Sequence, residues 1–241
     1  SITSGFGGSG LFSDGKLILS SIVGGNLRKY VNNPDHYLDR ALNIFGLDSK
    51  KIKKDPNTSQ KNLIDEAYKS RLELVYTDAY HLGTDGCQEF IKNISIKLQN
   101  KCDVLLNTEV LNIENNDGKF LVITKKEPYV CKYVILAAGR SGSEWVADQL
   151  SKFGIENRGD RVDLGVRVEV PNAIVKHLTD FAYDFKIRYY TSQFDDLIRT
   201  FCVCPGGHVT REDVDNFMAC NGHSYSTDKA DNTNFAVLAS I

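Results

Sequence analysis

The feature that most constrains the fold is an apolar run that leads directly into a turn of small residues, YVILAAGRSG at residues 133–142. Four bulky apolar residues followed by two alanines and a glycine are typical of a parallel strand covered on both faces. In open α/β sheets, ligands bind beyond the carboxyl ends of such strands. Gly139 has no side chain, so the main chain can approach a ligand closely there. The run predicts either a cofactor-facing turn or an ordinary strand-to-helix turn.

The chain has 241 residues, enough for one large domain or two modest ones, and we favour two. Its 29 lysines and arginines nearly balance 31 acidic residues, so no net field would attract nucleic acid or an anionic membrane. The sequence shows no long apolar run and no secretory leader, which predicts a cytoplasmic protein without a membrane partner. The six scattered cysteines are expected to be free thiols. Both ends of the sequence look cut, which suggests part of a longer protein.

Local signals predict several elements. Asn33 as N-cap, Pro34 at the first helical position and Gly46 after the end specify a helix. Apolar spacing predicts further helices at about 58–71, 85–99 and 143–153. Short β runs follow residue 103, with a hairpin turn at 116–118. After about residue 158 the pattern becomes antiparallel β: residues 162–170 alternate between apolar and polar or charged side chains.

Three groups of residues are candidates for chemistry. The segment GFGGSG at 5–10 is a weak match to a phosphate-binding loop, and it fits a cofactor-facing loop or a plain flexible one. Cys202 and Cys204 point to one face of a predicted strand, where they are either buried small side chains or a thiol pair for disulfide exchange or metal. His81 lies between a strand and a helix, where active-site groups often gather.

Read together, six segments resemble a family of bacterial, largely uncharacterised FAD-dependent dehydrogenases in the glutathione-reductase-like flavoprotein superfamily. They are GFGGSGLFSDGKL at 5–17, HLGTD at 81–85, ILAAGRSGSEW at 135–145, DLGVRVEVP at 163–171, RTFCVCPGG at 199–207 and TNFAVLASI at 233–241. The resemblance implies an α/β (α+β mixed) fold with a partial FAD/NAD(P)-binding Rossmann-like layer and an antiparallel β layer on the substrate side. It implies a partial FAD-binding domain at 1–157, with a helical insertion at about 26–80, and a truncated substrate domain at 158–241.

The resemblance also implies an FAD cofactor and its contacts. Gly7, Gly8 and Gly10 match a glycine-rich segment near the flavin, and Val110 matches the residue whose backbone contacts adenine. Ala138, Gly139 and Arg140 match the turn that passes near FAD, although Ala138 replaces a more usual threonine. The family's N-terminal phosphate-binding strand, loop and helix are missing here.

We therefore expect a fragment of an FAD-dependent oxidoreductase, acting on an unidentified small-molecule substrate or electron acceptor. The isolated fragment is expected to be inactive and to bind FAD weakly or not at all. His81, Arg167 and Lys186 are the candidate catalytic or anion-holding groups. The alternatives are a non-catalytic module that binds a nucleotide or small anion, and a thiol or metal protein centred on Cys202 and Cys204; the latter requires a depressed thiol pKa or bound metal.

Overall fold

The structure is a computed structural model that describes residues 5–18, 20, 23, 27–47, 56–77, 79–156, 162–214 and 217–241. The helices within these residues are α1 (Leu27–Tyr30), α2 (Pro34–Phe45), α3 (Thr58–Lys69), α4 (Gly83–Gln99), α5 (Ser143–Lys152) and α6 (Asn172–Phe181). The strands are β1 (Lys16–Ile18), β2 (Glu73–Val75), β3 (Ala79–His81), β4 (Val110–Asn116), β5 (Lys119–Thr124), β6 (Tyr129–Cys131), β7 (Asp163–Pro171), β8 (Lys186–Tyr190), β9 (Leu197–Cys204), β10 (His208–Val214), β11 (Phe217–His223) and β12 (Asn232–Ser240). Short 3₁₀ helices lie at Gly8–Phe12 and Arg140–Gly142.

The chain divides into two compact units. The first unit comprises Ser1–Ser9 and Ser95–Asp160, and the second comprises Gly10–Ile94 and Arg161–Ile241. This grouping differs from the predicted domains 1–157 and 158–241, because β2 from the first third of the chain hydrogen-bonds with β8. The predicted boundary at 157/158 lies outside the described residues.

The second unit is built on a five-stranded sheet with strand order β2-β8-β9-β12-β7, in which every neighbouring pair is antiparallel. A small pair, β1 with β3, and the hairpin of β10 and β11 complete its described strands. Apolar side chains from the sheet and from α3 and α6 form its core, namely Leu74, Phe181, Ala182, Phe185 and Val203, with Leu63, Ile64, Ala67 and Leu178 packed against them.

Capping residues explain where two helices of this unit begin and end. The side chain of Asn33 accepts a hydrogen bond from the backbone N–H of His36, and Gly46 ends α2 with φ 74°, as the sequence predicts. Asn57 and Gln60 form a reciprocal capping box at the start of α3. The Gln60 amide also donates to the carbonyl oxygen of Phe181 at 2.6 Å, which fastens α3 to the end of α6.

The first unit contains the three-stranded antiparallel sheet β4-β5-β6, against which α5 packs. Asp117 and Gly118 both have positive φ, 47° and 77°, and form the predicted hairpin turn between β4 and β5. The amide oxygen of buried Gln149 accepts from the backbone N–H of Ile113 at 3.0 Å, and the Trp145 indole donates to the carbonyl of Leu111. Two specific hydrogen bonds therefore fix α5 on β4.

The prediction of a parallel strand at residues 133–138 is wrong. This segment has no regular secondary structure and pairs with none of the described strands, and every strand pair that the structure describes is antiparallel. Val134 and Leu136 are half-buried, whereas Ile135 is 91% exposed. An apolar sequence forms a sheet strand only where a neighbouring backbone offers hydrogen bonds, and none of the described strands does so here. The fold of the described residues is mixed α+β, without the expected Rossmann-like parallel layer.

None of the helices in the described residues is long and apolar enough to cross a membrane.

Candidate functional site

A tight turn places two opposite charges, Asp14 and Lys16, inside the second unit. Gly15 between them has φ 67°, and a Cβ at this position would lie 2.5 Å from the sulfur of Cys87. The backbone is also anchored to the segment that leads into α4, since the N–H of Leu82 donates to the Gly15 carbonyl and that of Gly83 to the Asp14 carbonyl. Only glycine fits this turn.

Lys16 joins two buried carboxylates. Its ammonium lies 3.1 Å from Asp14 Oδ2 and 3.4 Å from Asp184 Oδ2, and it donates to the carbonyl of Val203 at 2.5 Å. The side chains of Lys16 and both aspartates are at most 8% exposed. Burial alone lowers the pKa of Lys16, but the negative charges of Asp184 and Asp14 outweigh it and raise the pKa above its ordinary value. Lys16 is therefore a fixed positive charge.

Asp184 is the second point at which this cluster is held. One carboxylate oxygen accepts from the backbone N–H of Val203 at 3.0 Å, and the other lies 2.8 Å from the ammonium of Lys186. Lys186 is itself buried, and its charge lies 5.6 Å from the ring centre of Phe201. Asp184 thus has both of its oxygens bonded, as a buried carboxylate requires.

Two thiols adjoin these charges. Cys204 is fully buried, with its sulfur 3.6 Å from Asp14 Oδ2 and 3.5 Å from Nη2 of Arg167. The same guanidinium donates to the Cys202 carbonyl at 2.9 Å and, through Nε, to Oδ1 of Asn234 at 2.8 Å. A Cβ on Gly222 would lie 1.9 Å from Arg167 Nη2, so the guanidinium occupies the space that a side chain at Gly222 would take.

The two cysteines differ in acidity. A hydrogen bond from the Cys204 thiol, the nearby Lys16 ammonium and, more weakly, Arg167 lower the pKa of Cys202 to about 6, although burial and Asp14 act in the opposite direction. The same hydrogen bond, together with burial, raises the pKa of Cys204. Cys202 is therefore the more acidic thiol of the pair. We call the group of Asp14, Lys16, Arg167, Asp184, Lys186, Cys202 and Cys204 the thiol–lysine centre.

A second polar group includes His81. Its Nε2 lies 2.9 Å from the hydroxyl oxygen of Tyr183 and 3.2 Å from that of Ser224, and the two hydroxyl oxygens are 2.8 Å apart. Burial lowers the pKa of His81 to about 4, with Lys229 and Lys16 acting in the same direction, so the ring is neutral at pH 7. Burial raises the pKa of Tyr183 to about 12. These three groups form a closed hydrogen-bonded triangle.

A cleft of about 590 Å³ opens beside the thiol–lysine centre, and we call it the basic cleft. Its charged and thiol lining consists of Asp14, Lys16, Asp184, Lys186, Arg188, Arg199 and Cys202. Its apolar lining consists of Ile18, Val23, Ile187, Leu197 and Phe201. Four cations and two carboxylates line it, and Arg188 and Arg199 also pair with Glu73 and Asp163, which do not line the cleft. Cationic groups on partly apolar walls suit a ligand that is both apolar and anionic. This volume is large enough for a small organic molecule.

The predicted FAD-side residues belong mostly to the first unit. Gly7 and Gly8 have φ 89° and 53°, Val110 begins β4, and Arg140 begins a 3₁₀ turn. Gly139 has φ 69°, and a Cβ built on it meets no atom within 4 Å. Ala138 is exposed, and a Cβ on Gly142 would lie 2.6 Å from its own. Gly10, whose added Cβ would also meet nothing within 4 Å, lies in the second unit.

The structure brings the three predicted catalytic candidates into one region of the second unit. Arg167 and Lys186 belong to the thiol–lysine centre, and the charges of Asp14 and Lys16 shift the pKa of His81. The sequence analysis missed Asp14, Lys16, Asp184, Tyr183 and Ser224. The sequence does contain a pattern that could have identified three of them. DGKLIL at 14–19 and DFKI at 184–187 each place an aspartate and a lysine two positions apart at the start of an apolar strand. The described residues contain no cluster of three metal-ligating side chains.

Comparison with known proteins adds little about activity. No family model matches the chain. A protein of Clostridium beijerinckii named "Uncharacterized protein" is 25% identical over 181 residues, which are 70% of this chain and 34% of the relative. The chain therefore spans about a third of the length of the curated relative it matches.

Proposed function

We propose that the chain is part of an FAD-dependent oxidoreductase and that the basic cleft receives its small-molecule substrate or electron acceptor. One observation carries this proposal: Cys202, whose thiol pKa is lowered, lines the basic cleft together with the buried ammonium of Lys16. A module that only binds a nucleotide or an anion gains nothing from an acidic thiol held among buried charges. Buried charges and perturbed pKa values collect at sites of chemistry, which supports an enzyme over a binding module.

The residues present fit one side of an FAD molecule. Gly139 offers bare backbone, with a left-handed φ and open space where a side chain would stand, and Gly8 does the same. When bound, FAD would accept or donate hydride or single electrons. Its diphosphate needs a strand, a glycine loop and a helix N-terminus, and the described residues contain no such parallel unit. In this proposal that unit belongs to the rest of a longer protein.

The proposal is tested by flavin content in the full-length protein. Gly139→Ala should reduce the bound flavin at least tenfold, because a methyl group would occupy the open face. Gly154→Ala is the matched control, since Gly154 has the same φ of 69° and the same open surroundings. Gly139 also has ψ −170°, a conformation that is essentially restricted to glycine, so circular dichroism must show that Gly139→Ala is folded before a loss of flavin is assigned to a lost ligand contact.

Bound flavin should also bleach on anaerobic reduction by NAD(P)H or another donor. A full-length protein that purifies without flavin and cannot be reconstituted would refute the proposal, and so would equal flavin content in the two alanine variants. If Gly139→Ala instead abolished binding of a nucleotide that is never reduced, the chain would be the non-catalytic module.

A further inference from the structure

We propose that Cys202 and Cys204 form a redox-active dithiol that reduces small disulfides bearing carboxylate groups, which bind in the basic cleft. This activity goes beyond the proposed flavin chemistry. A single turnover needs only the two protein thiols, so it can be tested without flavin.

The backbone at Cys202 is the first observation that points to this role. The pairing of β9 with β12 shifts register here, since Asn234 is opposite Cys204 and Ala236 is opposite Phe201. Two residues of β9, Cys202 and Val203, thus face one residue of β12, Phe235, which is a β-bulge. Cys202 takes the left-handed conformation, with φ 49°, that such bulges usually give to glycine. A side chain kept in a strained position is a sign of function rather than of stability.

The two sulfurs have the asymmetry of an attacking and a resolving thiol. Cys202 lines the basic cleft and is partly accessible, whereas Cys204 lies behind it with no exposure. The Cys204 thiol donates to the carbonyl oxygen of Cys202 at 3.5 Å, so the two cysteines adjoin one another at the bulge. Lys16, Asp14 and Arg167 are the charged groups that face Cys202 from outside its own strand. The cations outnumber the carboxylate and favour the thiolate.

The reaction consists of two exchanges. The Cys202 thiolate attacks one sulfur of the substrate disulfide R–S–S–R; that S–S bond breaks, one RS⁻ leaves and Cys202 is left in a mixed disulfide. Cys204 then loses its proton to Asp14, whose Oδ2 lies 3.6 Å from its sulfur, and attacks Cys202. The second RS⁻ leaves and the Cys202–Cys204 disulfide forms. The substrate gains two electrons and becomes two thiols, and the protein dithiol loses two electrons.

The lining of the basic cleft selects the substrate. Arg188 and Arg199 lie directly opposite each other on β8 and β9, an arrangement that is unfavourable unless anions lie close by. Glu73 and Asp163 partly balance them, at 3.3 and 2.5 Å. The guanidinium of Arg199 lies 4.9 Å from the ring centre of Phe201, which leaves an apolar and cationic surface beside the attacking sulfur. Carboxylates on an apolar or aromatic frame match that surface.

The test uses a variant in which the three other accessible cysteines, Cys102, Cys131 and Cys220, are replaced by serine, while buried Cys87 is kept. The probe is 5,5′-dithiobis(2-nitrobenzoic acid), an aromatic disulfide with two carboxylates. Each protein chain should release two equivalents of coloured thiolate. Its mass should fall by 2 Da, and it should carry no probe adduct. In the Cys204→Ser form the reaction should stop at one equivalent, with the probe attached to Cys202.

Two further measurements separate this role from that of an ordinary thiol. The rate at Cys202 should rise with pH around a midpoint of about 6. Exposed Cys102, studied alone in a Cys202→Ser and Cys204→Ser background, is the control thiol, and its rate should not show this midpoint. Cystamine, a cationic disulfide, serves as the second probe. The ratio of the rate with the anionic probe to the rate with cystamine should be at least tenfold larger at Cys202 than at Cys102. Arg188→Gln with Arg199→Gln should remove this preference.

A stable adduct without disulfide formation in the Cys204-containing protein would overturn the dithiol role, as would a Cys202 rate equal to that of Cys102 at pH 7. Equal charge preference at the two sites would overturn the assigned substrate class. Circular dichroism of each variant verifies that it is folded. Because no flavin enters these assays, their outcome is independent of the flavin test at Gly139.

Discussion

The glycine turn of the first unit and the thiol–lysine centre of the second unit differ in how their polar groups are satisfied. Gly139 is exposed and a Cβ built on it meets nothing within 4 Å, and the preceding Ile135 is 91% exposed. In the thiol–lysine centre, Lys16, Asp14 and Asp184 are nearly enclosed and bonded to one another. The turn takes its conformation from local chain geometry, whereas the centre depends on partners distant in the sequence. Substitutions should therefore affect stability far more in the centre than in the first unit.

The largest effect is expected for Lys16→Met, which keeps the shape of the side chain but leaves two carboxylates buried beside each other without their common cation. Breaking a buried ion cluster in this way costs about 3–5 kcal/mol of unfolding free energy. The matched control is Lys125→Met in the first unit, since Lys125 pairs with Glu109 and both side chains are more than 60% exposed. Lys125→Met should lower the unfolding free energy by less than about 1 kcal/mol. Urea unfolding of both variants measures the contrast, and similar losses would refute it.

Gly222→Ala should have the next largest effect, because the new methyl group would overlap the Arg167 guanidinium. Forcing an extra methyl into filled space costs about 1–3 kcal/mol. Gly10→Ala adds the same methyl to open space at a residue without positive φ, and it should cause no loss. Thermal unfolding distinguishes the two. Equal melting temperatures would mean that Arg167 is not fixed where the structure places it.

His81 should make the second unit sensitive to acid. Its pKa is about 4 in the folded protein against an ordinary 6.5, so below pH 6.5 the unfolded chain binds a proton that the folded chain resists. Stability is complete above pH 6.5 and falls as the pH drops toward 4. His81→Gln, which retains a polar side chain, should flatten this part of the stability curve by removing the titrating group. Denaturant midpoints between pH 7 and 4 test this, and an unchanged slope would contradict it.

The smallest effect is expected for Cys202→Gly. A left-handed conformation costs a residue with a Cβ about 1–2 kcal/mol, which glycine avoids. The variant should be as stable as the wild type or up to about 1 kcal/mol more stable, while the fast thiol reaction disappears. Cys204→Gly is the control, because Cys204 is fully buried and its loss leaves a void. If Cys202→Gly were as destabilising as Cys204→Gly, the strain at the bulge would not be real.

Local sequence signals predicted the elements that depend on neighbouring residues. The caps at Asn33 and Gly46 and the turn at Asp117 and Gly118 lie within a few positions of what they specify, and the structure has them where expected. The apolar pattern of residues 133–138 failed, because apolarity does not determine whether a strand has a partner. The same limit applies to β7, whose Leu164 and Val166 are 58% and 65% exposed. The periodicity of apolar residues identifies the apolar face of a strand, but it does not show which part of the protein covers that face.

The candidate site could be predicted only in part for a related reason. His81, Arg167 and Lys186 were chosen as chemically capable residues near strand ends, and the structure places all three near the same charges. Asp14 and Lys16 were missed because their partners, Cys204 and Val203, lie 190 and 187 residues away in the sequence. No spacing rule covers such distances. The acidity of Cys202 is likewise a property of this assembly and not of the C-x-C pattern.

The order of synthesis has a consequence for how the second unit forms. Its two halves, Gly10–Ile94 and Arg161–Ile241, are separated in the sequence by most of the first unit. During translation, the Lys16 ammonium and the β2 backbone leave the ribosome long before β8 and β9 exist to receive them. Contacts so distant close slowly, whereas the first unit has its main strands adjacent in the sequence. A nascent chain halted once residue 160 has left the ribosome should therefore hold a nearly complete first unit and an unassembled N-terminal half of the second, the stage at which chaperones have most to protect.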